Sequence, residues 1–358
     1  MEAGHWEAIG DSKVRCELCP HGCILPPGAS GLCRVRKNEQ GRLTLPFSGL
    51  VSALSLDPME KKPLYHFLPG TEVFSVGFFG CNLRCPFCQN WEISQRIEPA
   101  ARRLSPEALI RAALESGAPS IAFTYSEPLV HFEFILEAAR IAKEKGLRTV
   151  LVTNGTLNEV PARELLPLID AANIDLKCWS AGIYDRVLGG DLEAVKRFIA
   201  VAAGLCWVEV TTLVVPGVSE ADEAVEGIAS FLAGLDASIP LHLSAYHPAY
   251  AYDEKATSPS RLLSLAELAA KRLKYVYTGN IAPAEGAARR FEDTACGACG
   301  AVLVRRRGYR VELSGLAAGD RADGDRAGPG SPTVGRGGIR LARCAACGEP
   351  SPLVIEAQ

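Results

Sequence analysis

The run "GFFGCNLRCPFCQNW", residues 77 to 91, sets Cys81, Cys85 and Cys88 in a C-x3-C-x2-C spacing. Thiolates bind zinc and iron–sulfur clusters, and both kinds of centre commonly use four of them. Three thiolates packed this closely can wrap one four-iron cubane and leave one iron open to a chelating ligand from outside the chain. A zinc knuckle that borrows a distant fourth ligand, or buried cysteines that only fill space, are the competing readings.

Two more cysteine groups flank this one. Cys16, Cys19, Cys23 and Cys33 follow a C-x2-C-x3-C-x9-C pattern in "VRCELCPHGCILPPGASGLCRVR", where Pro and Gly favour loops around a metal over helices. An all-sulfur set suits structural zinc, a second iron-sulfur cluster, or reduced thiols that switch with redox state. Near the other end, Cys296-x2-Cys299 and Cys344-x2-Cys347 are each followed by Gly and bracket the strand-like "AVLVRRRGYRVEL". Paired knuckles around a short β region point to a zinc ribbon, with a rubredoxin-like iron or an unmetallated loop behind it. The Gly-, Asp- and Arg-rich insert "AAGDRADGDRAGPGSPTVGRGG" between them is expected to be a flexible loop. Cys178 and Cys206 stand alone and default to small buried hydrophobes, although Cys178 directly follows Lys177 and is a candidate for substrate contact.

The elements that must hold these groups are legible between residues 73 and 279. Seven apolar, β-branched runs (VFSVGFF, SIAFTY, RTVLVT, ANIDL, WVEVTTLVV, LHLSAY and KYVY) alternate with Ala-, Leu- and Glu-rich segments, the order of βαβ units in a parallel sheet. "SPEALIRAALESG" predicts a helix with Ser105 as N-cap, Pro106 at its first position and Gly117 past its end. "HFEFILEAARIAKEKG" predicts another that closes on Gly146. Each strand run breaks into polar, Gly or Pro residues, which places the chemistry at the C-terminal strand ends and predicts a partial (β/α)6-type barrel. A doubly wound open sheet is the alternative. The expected divisions are a four-Cys module and linker at 1–70, the barrel at 71–282 and a zinc-ribbon-like module at 283–358. The linker carries Asp57, Glu60, Lys61, Lys62, Tyr65 and His66, a polar set expected on a solvated face, with His66 the best candidate there for a substrate contact. Arg305, Arg306 and Arg307 are likewise expected on a solvated strand face.

A net charge of −3 at pH 7 provides no basic field, so nucleic acid is not indicated as a partner. The start "MEAGHWEAIGDSKVRC" lacks the apolar core of a secretory signal, and no apolar run approaches the ~20 residues of a membrane span. A cytoplasmic location is expected, where 13 cysteines serve metals rather than disulfides.

The form C-x3-C-x-Phe-C in "CNLRCPFC" resembles the signature of the radical S-adenosylmethionine enzymes. The resemblance implies a 4Fe-4S cluster on Cys81, Cys85 and Cys88 whose open iron binds the amino and carboxylate groups of S-adenosylmethionine. It implies that Phe87 packs near the adenine and that Ser126 and Glu127 of "FTYSEP" face the amino group, unless Glu127 merely caps the helix at Pro128. It also implies cofactor contacts from Thr153 and Asn154 of "VTNG", Asp175 and Lys177 of "IDLK", and His247 of "LSAYHP". His242, inside the strand run, is expected to be structural. Val152 departs from the pattern, which often has an aspartate there.

The order of these motifs, from "CELCPHGC" to "YVYTGN" and the two-knuckle tail, resembles the radical enzyme of the AmmeMemoRadiSam system, itself similar to pyruvate formate-lyase activating enzymes. That family implies reductive cleavage of the cofactor to a 5'-deoxyadenosyl radical, an electron donor such as flavodoxin or ferredoxin, and Memo-like and AMMECR-like partners. The target stays open between a small molecule or RNA and a glycyl radical on a partner enzyme, with a non-catalytic metal-binding adaptor as a third reading.

Overall fold

The computed structural model describes residues 1–282, 286–317 and 339–356. Nearly all of the expected flexible insert lies outside the described residues. At the N-terminus β1 (Trp6–Ala8), β2 (Val14–Cys16) and β3 (Ile24–Leu25) form a small antiparallel sheet, and β4 (Lys37–Glu39) and β5 (Arg42–Thr44) a hairpin.

The main sheet then runs in unbroken sequence order. β6 (Val51–Pro58) pairs antiparallel with β7 (Glu72–Phe78). From β7 the strands are all parallel: β8 (Ser120–Thr124), β9 (Arg148–Thr153), β10 (Ala171–Asp175), β11 (Trp207–Val214), β12 (Leu241–Ala245) and β13 (Val276–Gly279). No reversal interrupts this order, so the doubly wound alternative is excluded; β6 and β13 are the two ends of an open barrel wall. Seven parallel strands stand where a six-strand wall was expected, and all seven sequence runs are strands. β8 is buried along its whole length, as expected of a parallel strand covered on both faces.

Helices clothe the outside. Pro106–Glu115 starts as expected, with Ser105 Oγ accepting the Ala108 amide at 3.2 Å, and Gly117 ends it at φ +76°. Phe132–Glu144 buries Phe134, Ile135, Ala138 and Ala142, and Gly146 follows it at φ +74°.

The linker between residues 59 and 71 closes the N-terminal end of the barrel. Met59, Leu64, Phe67 and Leu68 pack against Val73, Ala122, Val150, Ala171 and Trp207, each near the start of its strand. The C-terminal segments β14 (Thr294–Ala295), β15 (Val302–Arg307), β16 (Arg310–Glu312), β17 (Leu316–Ala317), β18 (Ile339–Cys344) and β19 (Pro350–Glu356) dock beneath this floor. The Leu68 amide donates to the Val354 carbonyl and the Val354 amide to the His66 carbonyl.

Candidate active site and metal centres

The loop after β7 carries Cys81, Cys85 and Cys88 at the C-terminal end of the sheet, where the sequence predicts the mouth. Cys81 Sγ accepts from the Leu83 amide at 3.3 Å and from Asn154 Nδ2 at 3.6 Å. Cys88 Sγ lies 3.3 Å from Ser94 Oγ. Burial holds the Cys81 thiol well above the usual range, with Glu127 adding to the effect, and pushes Cys85 up to about 11 against the pull of Lys177. Such thiols give up their protons when a metal binds. No three of these sulfurs come within 4.8 Å of one another among the described residues, a spread wider than the tetrahedron around one zinc ion. Three separated sulfurs with N–H donors turned toward one of them fit an iron–sulfur cube, whose sulfurs commonly accept such hydrogen bonds.

The strand ends beside the loop supply the remaining expected residues. Glu127 is 1% exposed and accepts from Thr153 Oγ1 at 2.6 Å, the Asn154 amide at 2.8 Å and the Leu129 amide at 3.1 Å. It therefore caps the turn Pro128–His131 and also ties β8 to the Thr-Asn-Gly turn after β9. Burial raises its carboxyl to about 7 despite the three donors. Ser126 Oγ donates to the Phe78 carbonyl at 2.7 Å. After β10, Lys177 Nζ lies 2.9 Å from Asp175 Oδ2. Burial alone would lower its ammonium, but Asp175 and Cys85 outweigh it and hold the pKa above the ordinary value. His247 is exposed, with its ring nitrogen 3.1 Å from the Asn280 carbonyl. Phe87 is buried edge-on against Tyr252, their centroids 5.9 Å apart.

One buried polar residue beside the cysteines escaped the sequence reading. Asn82 is buried behind the cysteine loop, accepts from Asn154 Nδ2 at 3.0 Å, donates to the Thr156 carbonyl at 2.8 Å, and offers its own carbonyl to His21 Nε2 at 2.7 Å. Its only signal was a polar residue directly after Cys81.

Other expectations are relocated. His66 is fully buried in the barrel floor, its Nε2 2.6 Å from Tyr277 Oη and its amide donating to Glu209 Oε1 at 2.8 Å. It sits at the opposite end of the strands from the cysteine loop, out of reach of a substrate at the mouth. Glu209 also takes His242 Nε2 at 2.7 Å, which makes His242 structural as expected. The polar linker set is mostly buried: Asp57 binds Lys61, Lys62 and Tyr125, and Glu60 and Lys62 are each at most 3% exposed. Arg306 does not share the solvated face of Arg305 and Arg307. It is 2% exposed, donates to the Tyr65 carbonyl at 2.6 Å and to Thr294 Oγ1 at 2.8 Å, and lies 3.7 Å from Glu60. Cys178 and Cys206 are buried, the default reading for both.

The tail quartet converges. Cys296 and Cys347 sulfurs are 3.8 Å apart, those of Cys299 and Cys344 3.6 Å apart, and all four lie within 4.8 Å of one another. Each knuckle repeats one fold: the Gly300 amide donates to the Cys296 carbonyl and the Gly348 amide to the Cys344 carbonyl, with both glycines at left-handed φ. The backbone amides of Cys347 and Ala346 lower the Cys344 thiol to about 7. Four sulfurs at this spacing fit a single tetrahedral ion. The N-terminal quartet instead lines a common pocket without converging.

No helix among the described residues is long and apolar enough to cross a membrane.

Comparison with known proteins agrees with this geometry. Residues 76–232 match the model of the Radical SAM superfamily. An uncharacterized protein of Methanocaldococcus jannaschii is 36% identical over 360 residues, covering 99% of this chain and 99% of its own. A second protein of that archaeon, provisionally named a glycyl-radical enzyme activating enzyme, is 31% identical over 58% of this chain and 82% of its own. The pyruvate formate-lyase 1-activating enzyme of Escherichia coli K12 is 25% identical over 49% of this chain and 74% of its own.

Proposed function

The chain belongs to the radical SAM superfamily, and from that premise we propose that it is an enzyme whose Cys81, Cys85 and Cys88 hold a 4Fe-4S cluster that binds S-adenosylmethionine. The carrying observation is the mouth itself: three separated thiols beside Glu127, Asp175 and Lys177, all at the C-terminal strand ends. The cofactor pair supplies one-electron cleavage of a sulfonium and hydrogen abstraction from a substrate.

The chain's own residues do the positioning. Lys177, held protonated by Asp175, presents a point charge for a carboxylate. Glu127 fixes the spacing of two strand ends and lends negative potential to an ammonium beside it. Phe87 and Tyr252 wall the loop with aromatic surface suited to a nucleobase.

The substrate is an unidentified small molecule or RNA, with an electron donor of the flavodoxin or ferredoxin class and with Memo-like and AMMECR-like partners; the motif order along the chain supports that assignment. A second reading, formation of a glycyl radical on a partner enzyme, draws support from the activating enzymes among the relatives. The tail quartet holds one structural zinc ion, supported by its tetrahedral spacing. Anaerobic reconstitution with iron and sulfide, then dithionite and S-adenosylmethionine, tests the enzymatic reading. It predicts 5'-deoxyadenosine from the native protein and none from Cys85→Ala; equal yields from the two would overturn it.

A further inference from the structure

We infer that Cys16, Cys19, Cys23 and Cys33 hold a second 4Fe-4S cluster, directly behind the first, rather than a zinc ion. All four cysteines line one pocket. Among the described residues these four are not drawn into a group whose sulfurs all lie within 4.8 Å of one another. The tail quartet, in the same chain, collapses to that spacing. In a zinc tetrahedron with Zn–S near 2.3 Å the sulfurs lie about 3.8 Å apart. In a cube each thiolate binds a different iron, so the four sulfurs sit wider around a larger body.

Two residues shape the pocket for such a body. A side chain on Gly31 would begin 3.7 Å from Cys23 Sγ and 3.8 Å from Cys33 Sγ, so its lack of one keeps the space between those sulfurs open. Arg36 lines the pocket at 1% exposure. Its Nη atoms bind Glu133 and the Gly4 carbonyl, while Nε has no hydrogen-bond partner. An anionic cluster edged with sulfurs supplies what that buried N–H lacks.

Asn82 fixes the position of the site. It lines the pocket, directly follows Cys81 in sequence, and holds His21 of the quartet loop through its carbonyl. At Gly80 a Cβ would meet the Cys33 carbonyl at 2.6 Å, so the two cysteine loops are packed backbone against backbone. The site therefore suits one-electron exchange between neighbouring clusters, the electron supplied by an external donor of the ferredoxin or flavodoxin class.

The inference does not depend on the radical reading, and the test separates them. Anaerobically reconstituted full-length protein should contain about eight irons and eight sulfides per chain, counted by elemental analysis and Mössbauer spectroscopy. The triple variant Cys81→Ala, Cys85→Ala, Cys88→Ala should keep about four of each. The variant Cys16→Ser, Cys33→Ser should also fall to about four while still forming 5'-deoxyadenosine or, if the radical reading fails, still holding the Cys81 cluster. About four irons in the native protein with about two zinc ions per chain, or an unchanged iron count in the Cys16→Ser, Cys33→Ser variant, overturns the inference.

Discussion

Lys177 and His66 show how burial sets the behaviour of single side chains at the two ends of the barrel. Lys177 is held in place by Asp175 and lies near Cys85. Lys177→Ala should leave the iron content of the reconstituted protein intact and weaken S-adenosylmethionine binding about tenfold or more, the scale of one charge-assisted hydrogen bond; equilibrium dialysis reads the change. His66 is neutral in the fold because burial pushes its pKa down to about 3, with Glu209 opposing and Arg306 adding. The unfolded chain, whose imidazole titrates near 6.5, binds the extra proton between those values. Stability is therefore full above about pH 6.5 and falls as the pH drops toward 3, by roughly 2 kcal/mol at pH 5 from this group. Chemical denaturation of native protein and His66→Phe across that range should show a shallower slope for the variant.

At the scale of elements, the close approach of the cysteine loop to the N-terminal module makes Gly80 critical. It sits at φ +88°, and a Cβ there would lie 2.4 Å from Val35 Cγ2 as well as against Cys33. Gly80→Ala should destabilise the protein by about 2 kcal/mol or more and loosen the module from the barrel; a lowered melting temperature together with faster proteolysis within residues 1–45 would show it. The seven parallel strands were legible because each is a short β-branched run ended by polar or Gly residues, a local pattern. β6 was not, because most of its residues are only half-buried and its identity as a strand comes from pairing with β7. The three cysteine groups were legible from spacing. The buried polar partners at either end of the barrel were not: Asn82 and Tyr125 near the mouth and Glu209 in the floor act through partners far away in sequence, and no spacing rule reaches across 72 or 143 residues.

At the scale of the whole molecule, the C-terminal module is part of the barrel's floor. Arg306 bridges Glu60, Tyr65 and Thr294, and burial raises the Glu60 carboxyl while Arg306 opposes it. Arg306→Ala should cost about 3 to 5 kcal/mol, the scale of a buried charge stripped of its partner; urea unfolding followed by tryptophan fluorescence, with Trp207 in the floor, should report it. The contacts across this floor join residues far apart in sequence, Arg306 to Tyr65 spanning 241 positions. During synthesis, the strands and the cysteine loop at the mouth are all present before residues 306 and 354 emerge. The mouth can thus be assembled while the opposite end still exposes Phe67, Trp207 and two buried histidines, so the floor closes only once the segments carrying Arg306 and Val354 have docked.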